Sequence, residues 1–184
     1  MVYLFLADGF EECEALAPLD VLRRGEITVK TVGIGNQFIT GSHGITVKAD
    51  LEEKDVVLND ELQAVILPGG MPGTTNLEKS STVKDSVLFA NEKNKLVCAI
   101  CAAPKILGSM GLLNGKNATC YPGFEKYLKG AVLSEKGVVK SDNIITAKGA
   151  GVAFDFGFSI LLALSDEKSV NDLKLQMQYS GGLI

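Results

Sequence analysis

The residue best placed for chemistry is Cys101, which follows the five-residue apolar run from Leu96 to Ile100. This run is too short for a lone helix, and its composition is typical of a strand that is buried on both faces. Ala102 and Ala103 allow a sharp bend, and Pro104 suits the first turn of a helix. We therefore predict that Cys101 lies at a strand-to-helix elbow.

An elbow of this kind exposes a nucleophile at the end of a sheet, where the following backbone N–H can stabilise an oxyanion. The N-terminus of the next helix is also expected to favour the thiolate form of Cys101. The alternative is that Cys101 is a small buried hydrophobic residue, as free cysteines often are. This stretch alone supports the two interpretations about equally.

The other cysteines do not indicate a disulfide framework or a metal site. The sequence has four cysteines and a single histidine, His43. If Cys98 lies in the strand, its Cα is roughly 10 Å from that of Cys101, beyond the limit of about 7 Å for a disulfide. With one histidine and no second Cys-x-x-Cys pair, a structural zinc site is not expected.

Length, charge and composition exclude several classes of protein. The 184 residues are 46% hydrophobic and carry a net charge of −4, which predicts one globular domain over residues 1–184. No basic run is longer than Arg23-Arg24, so no nucleic-acid partner is expected. The apolar N-terminus lacks a positive n-region and soon meets Asp8-Gly9, so we expect a cytoplasmic protein without a signal peptide or membrane span.

Strands and helices alternate along the chain. Strands are predicted at 3–6, 27–32, 64–67, 96–100 and 118–121, hairpins at 38–47 and 138–146, and helices at 11–24, 81–91, 104–110, 152–164 and 167–179. Pro18 lies inside the first helix and predicts a kink or a separate first turn. The pattern predicts an α/β domain with a mostly parallel sheet, helices on both faces, and the 38–47 hairpin as an antiparallel addition to the sheet.

Ligands of such sheets bind outside the carboxyl ends of the strands. The loop after the first strand holds three carboxylates, Glu11, Glu12 and Glu14, although a solvated acidic turn at a helix N-terminus would look the same. The loop at 68–73 contains a glycine pair that would let backbone N–H groups approach a substrate. By default Tyr121 is a half-buried aromatic residue and His43 a solvated one, and the glycines at 149 and 151 do not form a dinucleotide fingerprint.

Five motifs together resemble the ThiJ/PfpI superfamily, within its parkinsonism-associated deglycase branch. They are LADGFEECE at 6–14, PLDVLRR at 18–24, LPGG at 67–70, AICAAP at 99–104 and GAG at 149–151. The resemblance runs nearly end to end. It implies a flavodoxin-like three-layer sandwich, of the class I glutamine amidotransferase-like kind, that usually forms a homodimer. It also implies a cysteine that is both nucleophilic and readily oxidised.

Carried over by position, the resemblance makes Cys101 the nucleophile and Glu14 the carboxyl group that faces it. Gly70 and Ala102 would offer the N–H groups of an oxyanion hole. Since a carboxylate would repel a thiolate, we infer that burial keeps Glu14 protonated, so that it donates to the sulfur. The pair can then act as nucleophile and general acid/base. The remaining pocket residues would be Gly69, Tyr121, Gly149 and Ala150.

Two departures from the superfamily pattern concern histidine. The branch often has a histidine where this chain has Tyr121, and the protease-like branch has one directly after the nucleophile, where this chain has Ala102. A Cys-His triad is therefore not available locally. This weakens the protease and amidase hypotheses, which need a base to protonate a leaving amine.

The resemblance and the departures leave two hypotheses. The first is a cofactor-independent enzyme acting on small 2-oxoaldehydes such as methylglyoxal, with deglycation of protein adducts as the same chemistry on a larger substrate. The second is a redox sensor or chaperone-like stress protein in which Cys101 is oxidised to a sulfinate held by Glu14. The missing histidine slightly favours the second hypothesis.

Overall fold

The computed structural model describes residues 1–180, so the last four residues of the predicted 1–184 domain lie outside the described residues. The strands, in chain order, are β1 (Val2–Leu6), β2 (Val29–Gly33), β3 (Phe38–Thr40), β4 (Thr46–Lys48), β5 (Leu51–Glu52), β6 (Ala64–Leu67), β7 (Leu96–Ile100), β8 (Asn117–Ala118), β9 (Val132–Leu133), β10 (Val138–Ser141) and β11 (Ile144–Ala147). The helices are α1 (Glu12–Arg24), α2 (Gly73–Lys79), α3 (Ser81–Glu92), α4 (Pro104–Ser109), α5 (Ala153–Leu164) and α6 (Glu167–Gln176). Short 3₁₀ turns cover Glu53–Asp55, Glu125–Tyr127 and Ala150–Val152.

The main sheet has the strand order β10-β11-β7-β6-β1-β2-β5. Only the β10–β11 pair within it is antiparallel. Five neighbouring strands follow the 2-1-3-4-5 order of flavodoxin-like sheets; across the sheet they are β2, β1, β6, β7 and β11. The predicted α/β fold with a mostly parallel sheet is confirmed. Because β1, β6 and β7 are neighbours, the loops after their carboxyl ends meet at one edge of the sheet.

Helices cover both faces of the sheet. Leu4 and Leu6 of β1 point toward the layer formed by α1, α5 and α6, whereas Tyr3 and Phe5 point toward the layer formed by α2, α3 and α4. A strand buried on both faces is continuously apolar, which explains the sequence of β1. No helix within residues 1–180 is both long and apolar enough to cross a membrane.

Helix α1 is continuous through Pro18, so of the two predicted alternatives at this residue the separate first turn is wrong. Pro18 packs closely against α5, where a Cβ on Gly157 would lie 2.9 Å from the Pro18 Cα. Tertiary packing outweighs the loss of one helical hydrogen bond, which is the usual cost of an interior proline. The continuity of α1 matters because its first turn carries Glu14.

Three other features differ from what the sequence predicted. The hairpin of β3 and β4 forms its own two-stranded sheet. It binds the loop after β1 instead of the main sheet, because Gly9 N–H donates to the Thr40 carbonyl and Thr40 N–H donates to the Asp8 side chain. Helix α2 was not predicted, because its seven residues GTTNLEK carry no apolar period. The strand expected at 118–121 is shorter, since β8 ends at Ala118 and pairs with β9.

Candidate functional site

The strand-to-helix elbow is present, and Cys101 lies at its apex. Its backbone has a φ of +64°, a left-handed conformation that is uncommon for residues other than glycine. The strain is held from two sides, since Cys101 N–H donates to the Ala147 carbonyl at 2.9 Å and the Cys101 carbonyl accepts from Tyr121 N–H at 2.8 Å. Strained residues of this kind persist only where the surrounding structure fixes them, which is typical of active sites.

Glu14 lies in the first turn of α1 and is 1% exposed. Its Oε2 accepts the Gly69 N–H at 2.9 Å. The Ala150 N–H and the Cys101 side chain lie close enough to this carboxyl group to lower its pKa. The loops after β1, β6, β7 and β11 thus converge on the buried Glu14 carboxyl group and the partly buried Cys101 thiol.

Two backbone N–H groups, those of Gly70 and Ala102, lie beside the Cys101 sulfur and act to lower its pKa. These are the groups expected to form the oxyanion hole. Gly69 lies against both members of the pair. A Cβ at this position would lie 2.5 Å from Glu14 Oε2 and 2.6 Å from the Cys101 Cβ. Only glycine leaves room for the pair to touch.

Burial dominates the ionisation of the pair. It raises the pKa of the Glu14 carboxyl to about 7, against the opposing effect of the hydrogen bond with Cys101. It also raises the pKa of the Cys101 thiol to about 12; a charged Glu14 adds to this rise, while the N–H groups of Gly70 and Ala102 oppose it. Between these two values the pair holds one proton. When Glu14 carries that proton, the sulfur is a thiolate with three donor groups beside it, the Glu14 carboxyl group and the N–H groups of Gly70 and Ala102.

The expectation that the helix N-terminus would lower the pKa of Cys101 is therefore wrong in its net direction. Helix α4 begins only at Pro104 and has six residues, so its effect is outweighed by desolvation of the sulfur. A thiolate in this site depends on Glu14 holding the proton. The other thiols lack such a partner: Cys98 and Cys120 are buried, and Cys13 is exposed.

Tyr121, Gly149 and Ala150 line the side of the site next to Glu14. A Cβ on Gly149 would lie 3.4 Å from Cδ2 of the Tyr121 ring and 3.6 Å from Glu14 Oε1. An open cavity of about 310 Å³ begins at this point, lined by Tyr121, Pro122, Lys148, Gly149, Ala150, Gly151 and Val152. Tyr121 is 51% exposed, so its ring is free to contact a ligand.

His43 does not contact Cys101. Its ring Nδ1 lies 2.8 Å from Glu12 Oε2, and its backbone N–H donates to Glu12 Oε1 at 2.8 Å. This contact attaches the β3–β4 turn to the start of α1. Donor atoms of Glu11, Glu12 and His43 lie within 4.8 Å of one another, close enough for a metal ion, but their mutual contacts account for the arrangement. Of the three carboxylates in this loop, only Glu14 faces the thiol.

Glu11 has a role that was not predicted from the sequence. Its Oε2 accepts the Glu14 N–H at 2.7 Å and so caps α1, while its charge contributes to the raised pKa of Glu14. The spacing of three residues between Glu11 and Glu14 is the N-cap-to-N3 spacing and could have revealed this role.

The fold and the site define a flavodoxin-like α/β protein with a cysteine elbow and a buried carboxyl partner. Residues 1–163 match the model of the DJ-1/PfpI family, and the chain belongs to this family. It is 34% identical over 173 residues to the protein dj-1beta of Drosophila melanogaster, covering 92% of each chain. It is 32% identical over 165 residues to the glutathione-independent glyoxalase DJR-1.2 of Caenorhabditis elegans, covering 89% of this chain and 87% of that protein.

Comparison with solved structures supports the same fold. The solved structure of oxidized Toxoplasma gondii DJ-1 superposes with a TM-score of 0.92 at 29% identity, covering 97% of this chain and 98% of that one. The ThiJ/PfpI resemblance predicted from the sequence motifs is confirmed, together with the flavodoxin-like architecture.

Proposed function

We propose that this protein is a cofactor-independent enzyme that converts small 2-oxoaldehydes into 2-hydroxy acids, with Cys101 as nucleophile and Glu14 as proton carrier. The observation that carries the proposal is the placement of a 1%-exposed carboxyl group beside a thiol at a strained elbow. The relative named as a glutathione-independent glyoxalase supports the same class of reaction.

The geometry suggests a reaction in three steps. The Cys101 thiolate adds to the aldehyde carbon, and the oxygen takes the proton of Glu14 to give a hemithioacetal, which leaves Glu14 as a carboxylate. Glu14 then removes the proton from that carbon and returns it to the neighbouring ketone carbon through an enediol, which leaves a thioester on Cys101. Water hydrolyses the thioester, releases the 2-hydroxy acid and restores the thiol. The sum is addition of one water to the oxoaldehyde, so no redox cofactor is consumed.

The backbone donors fit this chemistry. Negative charge develops on the oxygen of the attacked carbon, close to the sulfur and to the neighbouring N–H groups of Gly70 and Ala102. Fixed donors aimed at developing charge stabilise a transition state without reorganisation. No leaving amine needs a proton in this reaction, so it does not require the histidine that a protease or amidase would use. This is why the protease and amidase hypotheses receive less support.

The test is lactate formation from methylglyoxal by the wild type and by Cys101→Ser at matched protein concentration. We expect the serine variant to lose at least about 100-fold in rate. Cys13→Ser is the matched control, because Cys13 is an exposed thiol of α1 outside the pair, and it should retain the wild-type rate. Equal rates for Cys101→Ser and the wild type would contradict the proposal. The control is needed because any free thiol adds reversibly to this aldehyde.

A second candidate function is redox sensing or a chaperone-like stress role through oxidation of Cys101. The favouring observation is that the same three donors around the sulfur would also hold the oxygens of a sulfinate. Glu14→Gln keeps a donor of similar shape, whereas Glu14→Leu removes it. If sensing is the function, the Gln variant should still accumulate sulfinate in peroxide and the Leu variant should not, as measured by intact mass.

We further propose a cytoplasmic homodimer. The β3–β4 hairpin supports the dimer, since it stands outside the main sheet and exposes Phe38 at 57% and Ile45 at 53%, and exposed apolar surface is typical of interfaces. Four free cysteines suit a reducing compartment. Light scattering at micromolar concentration should give twice the mass of the chain, and the mass of one chain would contradict the dimer.

A further inference from the structure

The open cavity beside Glu14 has no occupant in the reaction proposed above, because methylglyoxal carries only a methyl group on its ketone carbon. We call this cavity the side groove; its lining is the Tyr121 ring, Pro122, Lys148 and the segment Gly149–Val152, and its volume is about 310 Å³. The atoms that face it are mostly carbon. An apolar concave surface next to a reactive pair is the common form of a small-molecule subsite.

The side groove lies next to the reactive pair. Gly149 lines the groove beside Glu14, since a Cβ there would lie 3.6 Å from Glu14 Oε1 and 3.4 Å from Tyr121 Cδ2. The Ala150 N–H lies close enough to Glu14 to lower its pKa, and Tyr121 donates its backbone N–H to the Cys101 carbonyl. A substrate attached to the sulfur and touching Glu14 would therefore extend its substituent along the groove.

The charges along the groove indicate an uncharged occupant. Lys148 is the one cationic side chain of its lining, and its Nζ is paired with Glu135 at 3.0 Å. No carboxylate lines the groove within the described residues. Its volume is ample for a six-membered ring, because an apolar cavity of about half this size holds benzene. The Tyr121 ring, 51% exposed, offers an aromatic contact.

We propose that the side groove binds the substituent on the ketone carbon of the substrate, so that the protein selects 2-oxoaldehydes with an aryl or bulky alkyl group over methylglyoxal. This proposal rests on the function proposed above and assigns its substrate class. Tyr121 is then a specificity-determining residue. A filled apolar subsite commonly changes selectivity by about 10-fold or more.

The first arm of the test compares kcat/KM for phenylglyoxal and methylglyoxal, from initial rates of mandelate and lactate formation. The wild type should prefer phenylglyoxal by about 10-fold or more. Tyr121→Phe keeps the ring and should keep this ratio, whereas Tyr121→Ala should lose most of it. Leu133→Ala is the control, because Leu133 is 54% exposed and does not line the side groove. Equal kcat/KM values for the two aldehydes in the wild type would overturn the proposal.

The second arm does not depend on turnover. Mandelamide and lactamide are uncharged, unreactive analogues of the two products, and each is tested for protection of Cys101 against iodoacetamide. Stronger protection by mandelamide in the wild type, lost in Tyr121→Ala, supports the side groove even if neither aldehyde is converted, in which case only the proposed reaction fails. Conversion of both aldehydes without a difference between the amides overturns the side groove and leaves the reaction standing. If neither aldehyde is converted and neither amide protects Cys101, both the side groove and the reaction are overturned.

Discussion

Glu14 should make the protein less stable as pH rises, and Glu14→Gln should remove this effect. Burial raises the pKa of the carboxyl group from 4.5 to about 7, so the folded protein binds the proton more tightly than the unfolded chain. The stability gained from this proton is fully present below pH 4.5 and is lost as pH rises through 7. Since a pKa difference of one is worth about 1.4 kcal/mol, the whole effect is about 3 kcal/mol.

The assay is urea unfolding of the wild type and Glu14→Gln from pH 4.5 to pH 8.5. The quantity to compare is the difference between their free energies of unfolding at each pH. Groups present in both proteins, such as His43 and Glu12, cancel in this difference. We expect it to shift by about 3 kcal/mol in favour of the Gln variant as pH rises. Glu92→Gln is the control, because Glu92 is an exposed residue at the end of α3, and its difference should stay constant.

Parallel stability curves for the wild type and Glu14→Gln would refute this reasoning, because they would mean that Glu14 ionises in the folded protein as it does in the unfolded chain. A difference that shifts in favour of the wild type would mean that the folded structure stabilises the carboxylate. The N–H groups of Gly69 and Ala150 would then outweigh burial.

Three further predictions concern the pair and its neighbours. The alkylation rate of Cys101 by iodoacetamide, followed by peptide mass spectrometry, should level off above about pH 7, where the pair holds one proton. That of Cys13 should keep rising, and parallel pH profiles for the two thiols would argue against the pair. Gly69→Ala should cost about 100-fold in turnover with an unchanged circular dichroism spectrum, because its Cβ would lie 2.5 Å from Glu14 Oε2. Glu11→Ala should lose about 1 kcal/mol by urea unfolding through loss of the α1 cap, and unchanged stability would contradict that role.

The elbow could be predicted from the sequence because its signals are local. The apolar strand, the two alanines and Pro104 are consecutive, and the structure places Cys101 at the turn between β7 and α4. Its left-handed backbone could not be predicted, because the residue type does not favour it. The conformation is imposed by hydrogen bonds to Ala147 and Tyr121, which are distant in sequence.

The partner of Cys101 could be named only through the family resemblance. Glu11, Glu12 and Glu14 are chemically equivalent in the sequence, and a solvated acidic turn explained them equally well. The helical period of α1 separates them, since Glu14 turns toward Gly69 while Glu12 pairs with His43. The raised pKa of Cys101 was missed for a similar reason, because desolvation depends on loops that meet only in the folded chain.

The separate roles of Cys101 and Glu14 are tested most directly by intact-mass spectrometry of the protein mixed with methylglyoxal, with lactate measured in the same samples. We expect Glu14→Gln to release lactate at least about 100-fold more slowly than the wild type, because it can neither take the proton of Cys101 nor move one between the two carbons. Cys101→Ser should form neither an adduct at that position nor lactate. Lactate release by Glu14→Gln or by Cys101→Ser at the wild-type rate would contradict the proposal that Cys101 adds to the aldehyde and Glu14 moves the proton.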